Sequence, residues 1–190
     1  QGRAHFTVNA ILEAAAHILR EVGYARLNTN RVADKAGISI GSLYQYFSNK
    51  ETLVAELRRR HFEDIRSEME KAYRQSHGLP FEAASRSLIE ASIKARQIDP
   101  ALHRAISTQT PALDLSEDDN SARSARKMIE RFFDSRRDEL RNNLDIPLAA
   151  HIAYQLVKSV THAAVIDEPE LLNHPDFVAE LQRMLFAYVR

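Results

Sequence analysis

A short run of polar and aromatic residues, from Ile40 to Tyr46, has the composition of a helix that contacts nucleic-acid bases. Another short helix is predicted just before it, from Thr29 to Ala36, with Thr29 as its N-cap. Gly37 permits the positive φ of a tight turn, and the small alanines before it let the two helices touch. This pattern predicts a helix-turn-helix, whose second helix fits the major groove of DNA.

The side chains of this second helix divide into two faces. Ile38, Leu43 and Phe47 are apolar and are expected to hold the helix against its neighbours. Gln45 can pair bidentately with adenine, a contact worth about 1–3 kcal/mol of base discrimination. Because Ile40 and Gly41 lack hydrogen-bonding side chains, DNA shape is expected to contribute to recognition. The residues expected to face outward are Ile40, Gly41, Ser42, Tyr44, Gln45 and Tyr46.

Helical periodicity extends along the whole chain and predicts an all-α fold of about nine helices. Apolar residues recur at helical steps from Val8 to Val22, and Gly23 is expected to end this first helix. Asn49 is expected to cap a fourth helix that runs to about residue 76. Its three consecutive arginines, Arg58–Arg60, are expected to face solvent. The other helices are predicted at about 40–46, 80–97, 100–108, 117–140, 147–166 and 174–189.

Composition narrows the function further. The chain has 190 residues with 26 Lys+Arg and 26 Asp+Glu, but its first 60 residues carry nine basic and five acidic side chains. The net positive charge of residues 1–60, against the net negative charge of residues 61–190, favours a polyanionic partner. The absence of cysteine excludes disulfides, thiolate metal sites and cysteine nucleophiles. No apolar run approaches the ~18 residues of a membrane span and no signal peptide opens the chain, so a cytoplasmic protein without a membrane partner is expected.

The predicted helix-turn-helix and the helix before it resemble the TetR family of one-component transcriptional regulators. The resemblance covers about residues 5–57, and the rest of the chain suits the family's ligand-binding domain only in its helical pattern and length. The matching residues are Ile11-Leu12-Glu13-Ala14-Ala15, Gly23, Thr29, Val32-Ala33, Ala36-Gly37, the block from Ile38 to Phe47, and Lys50 followed by Leu53.

The resemblance implies a homodimeric repressor that binds a palindromic operator in double-stranded DNA and leaves it when a small-molecule effector binds. It implies a DNA-binding domain at 1–47 and an effector-binding and dimerisation domain at 48–190, linked by the fourth helix at about 49–76. No cofactor besides the effector is expected. A basic arm with Arg3 is expected to touch DNA and, since the chain begins at Gln1, to be mostly missing. The contacts implied by position are Thr29, Tyr44 and Lys50 to phosphates, with Asn30, Ile40, Gly41, Ser42, Gln45 and Tyr46 nearest the bases.

The last two helices are predicted to form the dimer interface, because the resemblance implies a four-helix bundle between symmetry mates. Each carries a face of small and apolar residues that permits close helix packing. An ordinary core within one chain is the alternative. The candidate interface residues are Ala149, Ile152, Ala153, Leu156, Val160, Ala163, Ala164, Phe177, Leu181, Leu185 and Tyr188.

The opposite face of the eighth helix is polar and carries His151, Gln155, Lys158 and His162. This face is interpreted as solvent-exposed or as the polar wall of a ligand cavity. A metal site is disfavoured because the two histidines lie three turns apart.

An effector pocket is expected among the fifth to eighth helices. If Arg96 points inward it needs an anionic partner, which an anionic effector would supply. The internal alternatives are Glu90, Asp99 and Glu130. The candidate lining residues are Leu88, Ser92, Arg96, His103, Ile106, Gln109, Met128, Phe132, Phe133 and Tyr154.

Three other functions remain as alternatives to a ligand-released repressor. An activator or corepressor-dependent regulator of the same fold would share every feature above. A helix-turn-helix used only for protein contact would lack salt-dependent affinity for DNA. An enzyme is disfavoured, since the sequence has no Gly-rich phosphate loop, no His-Glu-x-x-His motif and no cysteine. The paired acids Asp118 and Asp119 are assigned to a polar loop, Asp114 to Ser121, that caps the seventh helix.

Overall fold

Helices make up nearly all of the computed structural model, which describes residues 2–110 and 115–190, the side chains of Arg3 and of residues 115–120 excepted. This part of the chain contains nine α-helices and no strand, which confirms the predicted all-α class. Two 3₁₀ turns, Arg137–Glu139 and Pro169–Asn173, precede and follow α8. The helices are α1 (Gly2–Arg26), α2 (Thr29–Ala36), α3 (Ile40–Tyr44), α4 (Lys50–Gln75), α5 (Phe81–Gln97), α6 (Pro100–Gln109), α7 (Leu115–Asp134), α8 (Ile146–Ile166) and α9 (Phe177–Val189).

The first compact unit comprises Gln1–Phe62 and Ala101–Leu115. Its core is built from one apolar stripe of each helix, because helical spacing places every third or fourth residue on the same face. This packing fixes α3 against α1, α2 and α4. Fully buried core residues are Ile11, Leu19, Val32, Leu43, Leu53 and Ile106.

Polar side chains fix the ends of the helices in this unit. Asn28 caps α2 by accepting a hydrogen bond from the Arg31 backbone N–H at 3.0 Å. The predicted N-cap Thr29 is therefore wrong by one residue, because Thr29 is already helical. Asn49 caps α4 as predicted, with Oδ1 2.8 Å from the Thr52 nitrogen.

The second unit comprises Glu63–Pro100 and Ser116–Arg190. One cluster surrounds the fully buried Phe81, which contacts the rings of Phe132, Phe133 and Phe186. Another joins Ile89 and Ile93 of α5 to Leu181 of α9 and to partly buried residues of α8. Burial of these apolar faces is the main stabilising contribution in this unit.

The two units divide α4 between them rather than separating before it. Residues up to Phe62 pack in the first unit and residues from Glu63 in the second. α6 joins the first unit because Leu102 and Ile106 enter its core. These are units of packing, so the functional domains at 1–47 and 48–190 stay a prediction.

Several helix ends differ from the prediction. α7 begins at Leu115 and ends at Asp134, not at 117 and 140, because the 3₁₀ turn that follows redirects the chain and brings Leu140 into the core. α9 begins at Phe177 instead of 174. α3 ends at Tyr44 instead of 46. Asp114 of the predicted polar loop lies outside the described residues, as do the side chains of Asp118 and Asp119.

Glu56 joins two of the consecutive arginines on α4. It accepts hydrogen bonds from Arg59 Nε at 2.7 Å and from Arg60 Nε at 2.9 Å, while Arg60 also donates to Asn9 Oδ1 of α1 at 2.6 Å. The prediction that Arg58–Arg60 face solvent is therefore only partly right, since these side chains are half-buried. The hydrogen bonds from Arg59, followed by those from Arg60, hold the pKa of the Glu56 carboxyl below its ordinary value despite its burial.

Replacing Glu56 by glutamine is expected to reduce the free energy of unfolding by about 1 kcal/mol at pH 7. Because the folded pKa is lowered, this contribution is complete above the unfolded pKa and is lost as the pH falls through the folded one. Urea unfolding of wild type and Glu56→Gln between pH 7 and about pH 3 should show the gap closing. Glu63→Gln is the control, since its contact with Arg66 is 3.4 Å and exposed. A gap that is constant with pH would contradict the prediction.

Candidate nucleic-acid interface

The recognition helix α3 exposes the face that the sequence predicts. Leu43 is fully buried, whereas Tyr44 is 51% and Tyr46 is 38% exposed. Ser39 caps the helix and its hydroxyl also lies 2.8 Å from that of Ser42. The remaining predicted base-contacting residues, Asn30, Ile40, Gly41 and Gln45, are exposed.

Two predicted phosphate contacts lie together. Thr29 Oγ1 and Tyr44 Oη are 3.2 Å apart, which joins the first turn of α2 to the end of α3. Thr29 lies in the first turn of α2, where backbone N–H groups and the helix dipole favour anions. The hydroxyl pair and this helix start therefore present hydrogen-bond donors suited to one phosphate group.

Lys50, the third predicted phosphate contact, is positioned by Tyr24. Its Nζ donates to the Tyr24 carbonyl at 3.3 Å and lies 4.0 Å from the centre of the Tyr24 ring. The Tyr24 hydroxyl donates to Glu51 at 3.3 Å. Burial first, then the charge and hydrogen bond of Glu51, raises the pKa of Tyr24, so this phenol stays protonated at neutral pH. Sequence reasoning missed Tyr24, although an aromatic residue directly after a helix-ending glycine was a signal for it.

Gln109 contacts the end of α1 and belongs to the first unit, whereas most candidate pocket residues belong to the second. Its Oε1 accepts from the Tyr24 backbone N–H at 3.2 Å. It also lies against Gly23, where an added Cβ would meet Oε1 at 2.5 Å. Gly23 has φ 76° and ψ 172°, so the helical geometry breaks there as predicted.

Replacing Gly23 by alanine is expected to lower the free energy of unfolding by about 1–3 kcal/mol, because its backbone conformation is nearly exclusive to glycine. Part of the cost is steric, since the new Cβ displaces Gln109. The double variant Gly23→Ala/Gln109→Ala should regain only that steric part. Denaturant unfolding of the two single variants and the double variant checks this, and Gly78→Ala, at a positive φ with open space around it, isolates the backbone cost. Equal losses for Gly23→Ala and Gly78→Ala would exclude the steric contribution.

The predicted pocket residues are divided between the two units. His103, Ile106 and Gln109 belong to the first unit, and the other candidates belong to the second. Ile106, Phe132 and Phe133 are core residues of separate apolar clusters. Helical spacing identifies buried positions without identifying what buries them, so a single lining from these residues stays a prediction. His103 is buried and lies 2.9 Å, Nδ1 to Nε2, from the buried His61.

Five predicted dimer residues belong to the core of one chain. They are buried by neighbouring helices of the same protomer, as in an ordinary core, and their role at an interface stays a prediction. Ile152 and Ala163 are exposed, and Leu156, Val160, Phe177 and Tyr188 are partly buried. The five buried residues are Ala149, Ala153, Ala164, Leu181 and Leu185.

Exposed apolar side chains nevertheless remain on α8 and α9. Leu148 and Ile152 lie one turn apart on α8, and Met184 lies on α9. No helix of the described chain is long and apolar enough to cross a membrane. Within the same residues, no group of three or more potential ligands is arranged to hold a metal ion.

An exposed recognition helix, locked by a buried Leu43 and followed by a helical domain, defines a helix-turn-helix transcriptional regulator. Two family profiles extend this class to most of the chain. Residues 11–57 match "Bacterial regulatory proteins, tetR family", and residues 80–188 match "Tetracyclin repressor-like, C-terminal domain". The chain belongs to the TetR family.

Curated relatives are similar over part of their length. The HTH-type transcriptional repressor KstR2 of Rhodococcus jostii is 34% identical over 87 residues, 45% of this chain and 41% of that protein. The fatty acid metabolism regulator protein of Bacillus subtilis is 36% identical over 47 residues, 25% of this chain and 24% of that protein. This chain therefore matches less than half the length of either relative.

Solved structures show the fold over nearly the full chain. FadR of Bacillus subtilis, solved with stearoyl-CoA, has a TM-score of 0.72 at 17% identity, covering 95% of this chain and 98% of that one. SmeT, the repressor of a Stenotrophomonas maltophilia multidrug efflux pump, has a TM-score of 0.69 at 24% identity, covering 96% of this chain and 90% of the SmeT chain. A complex of SmeT with triclosan has a TM-score of 0.70 at 25% identity, covering 97% of this chain and 92% of the SmeT chain.

Proposed function

We propose that this protein is a homodimeric repressor that binds a palindromic DNA operator and leaves it when a small-molecule effector binds. The observation that carries the proposal is the exposed face of α3, with the Thr29–Tyr44 hydroxyl pair beside it. The protein acts in the cytoplasm, where its DNA lies, and requires no cofactor besides the effector. The names of its relatives do not identify that effector, because the curated matches cover less than half of each relative.

The phosphate contacts orient the recognition helix. Thr29, Tyr44 and Lys50 come from α2, α3 and α4, so three helix ends of one unit supply donors to the DNA backbone. Such contacts fix register without reading sequence. Gln45 and Asn30 are then the side chains with the best hydrogen-bonding groups for base edges.

The proposed dimer uses the exposed faces of α8 and α9. Leu148, Ile152 and Met184 are each more than a third exposed, and a two-fold axis would bring two copies of this patch together. A dimer places two recognition helices at half-sites about 34–36 Å apart, one turn of B-DNA. An effector that binds better to a dimer with another spacing shifts the population away from DNA.

Selection of DNA fragments from a random pool tests this function. The wild type should enrich a near-palindrome, and Tyr44→Ala should lose at least tenfold in affinity because a backbone contact and ring packing are both removed. Tyr44→Phe, which removes only the hydroxyl, should lose less, and equal melting temperatures should establish that all three proteins are folded.

The salt dependence of binding separates the proposal from a protein-contact module. Affinity for the enriched fragment should fall steeply and linearly on a plot of log affinity against log salt concentration. A slope near zero, or no enriched sequence from a ligand-stripped dimer, would overturn the DNA-binding function. Tighter binding with an added ligand would instead indicate a corepressor-dependent regulator.

A further inference from the structure

Arg96 on α5 is a half-buried arginine whose hydrogen bonds stay on its own helix. Its Nη1 donates to the Ser92 carbonyl at 2.7 Å and to the Ser92 hydroxyl at 2.6 Å. Both acceptors are uncharged, and Arg96 forms no ion pair with the part of the chain that the structure describes. The Nε and Nη2 atoms of Arg96 remain as donors, and their geometry permits two parallel hydrogen bonds to one carboxylate or phosphate.

Other arginines of this unit contrast with Arg96. Arg66 pairs with Glu70, and Arg86 pairs with Glu90 at 3.0 Å. Arg86 is exposed, whereas Arg66 and Arg96 are both partly buried. Within the described residues, the exposed Arg86 has a carboxylate partner, whereas the partly buried Arg96, whose charge burial destabilises, has none.

Polar groups of α8 interact with Arg96 and with one another. Tyr154, Lys158 and His162 are spaced every four residues and share one face of this helix. Lys158 Nζ lies 5.6 Å from the centre of the Tyr154 ring. Burial, followed by the charges of Arg96 and Lys158, lowers the pKa of His162, while Asp167 acts in the opposite direction. Arg96 and Lys158 therefore supply two positive charges near His162, which is held towards its neutral form.

Apolar residues flank the same region. Ile93, one turn before Arg96, belongs to a cluster with the partly buried Leu156, Val157 and Val160 of α8. A ligand with an acidic head and an apolar body would match both surroundings.

We propose that Arg96, Lys158, His162 and Tyr154 bind the carboxylate or phosphate head of an amphiphilic organic anion. Arg96 holds the head through Nε and Nη2, and the Lys158 ammonium supplies a second positive charge. Tyr154 and His162 line the same face of α8 beside the head. This inference rests on the proposed function, since the anion is then the effector of the regulator.

Three probes with one alkyl chain test the charge requirement: octanoate, octyl phosphate and octanol. Calorimetric titration of the full protein without DNA should show saturable binding of one or both anions and at least tenfold weaker binding of octanol. The stronger of the two anions identifies a carboxylate or a phosphate as the preferred head.

Arg96→Gln should weaken binding of that anion at least tenfold, while Arg86→Gln, on the same helix and paired with Glu90, should leave it unchanged. Lys158→Gln tests the site a second time by the affinity for the same anion, and because Lys158 is exposed, this change carries little risk to folding. Arg96→Gln should also melt no lower than wild type, because it removes a charge that the fold leaves uncompensated. Equal binding of octanol, no binding of either anion, or unchanged affinity in both site variants would overturn the proposal.

Release from DNA is measured separately. If the anion binds through Arg96 but does not reduce operator affinity, the binding site stands and only ligand-dependent release is rejected. If the wild type binds no operator at all, the regulator function fails while the titration still decides the anion site.

Discussion

Replacing Ile152 and Met184 together by arginine is expected to convert the proposed dimer into a folded monomer. Both side chains are exposed in the protomer, at 37% and 56%, so arginine disturbs no core. In a two-fold interface each substitution occurs twice, which places four guanidinium groups at the proposed interface. We expect the dimer dissociation constant to rise at least about a hundredfold, or 2.7 kcal/mol.

Light scattering and analytical ultracentrifugation measure this change directly. Leu79→Arg is the matched control, because Leu79 is 41% exposed in the same unit but lies between α4 and α5. The control should stay dimeric and the double variant should lose operator affinity, since one half-site gives only half of the contacts. A double variant that remains dimeric would reject the α8–α9 interface.

Replacing Phe81 by alanine is expected to cost about 3–5 kcal/mol of unfolding free energy. Phe81 is fully buried, and its ring centre lies 5.5 Å from that of Phe132 and 5.3 Å from that of Phe186. The Arg190 guanidinium lies 5.1 Å from the centre of the Phe81 ring. Truncation removes these contacts and leaves a cavity between α5, α7 and α9 that rigid rings cannot fill.

Urea unfolding followed by far-ultraviolet circular dichroism measures the loss. Phe6→Ala is the control, since Phe6 is 76% exposed and should change stability by less than about 0.5 kcal/mol. A loss below about 1 kcal/mol for Phe81→Ala would mean that this aromatic cluster does not hold the second unit together.

The helix-turn-helix could be predicted because its determinants are local. Gly37 has φ 69° and ends α2, and the apolar Leu43 is fully buried on the inner face of α3. Each feature depends on residues within a few positions along the chain. The error at the α2 cap shows the limit, since Asn28 and Thr29 are both good caps and sequence does not order them.

The dimer face and the pocket could not be predicted in the same way. α8 is apolar on much of its circumference, so spacing alone does not distinguish Ala149, buried in the protomer, from Ile152, exposed one turn away. Gln109 was likewise assigned by its helix, but its position is decided by Tyr24, which is distant in sequence. Contacts of this kind depend on how helices pair in three dimensions.

The composition of α4 has a mechanical consequence. The helix has 26 residues without an internal glycine or proline and begins with Lys50. At 1.5 Å per residue it is a rod about 39 Å long. With no residue that favours a kink, a tilt of about 5° at one end displaces the other by about 3 Å, the length of a hydrogen bond. A change of that size, reached without unfolding any turn, is enough to separate the Lys50 ammonium from the phosphate oxygen that we propose it contacts.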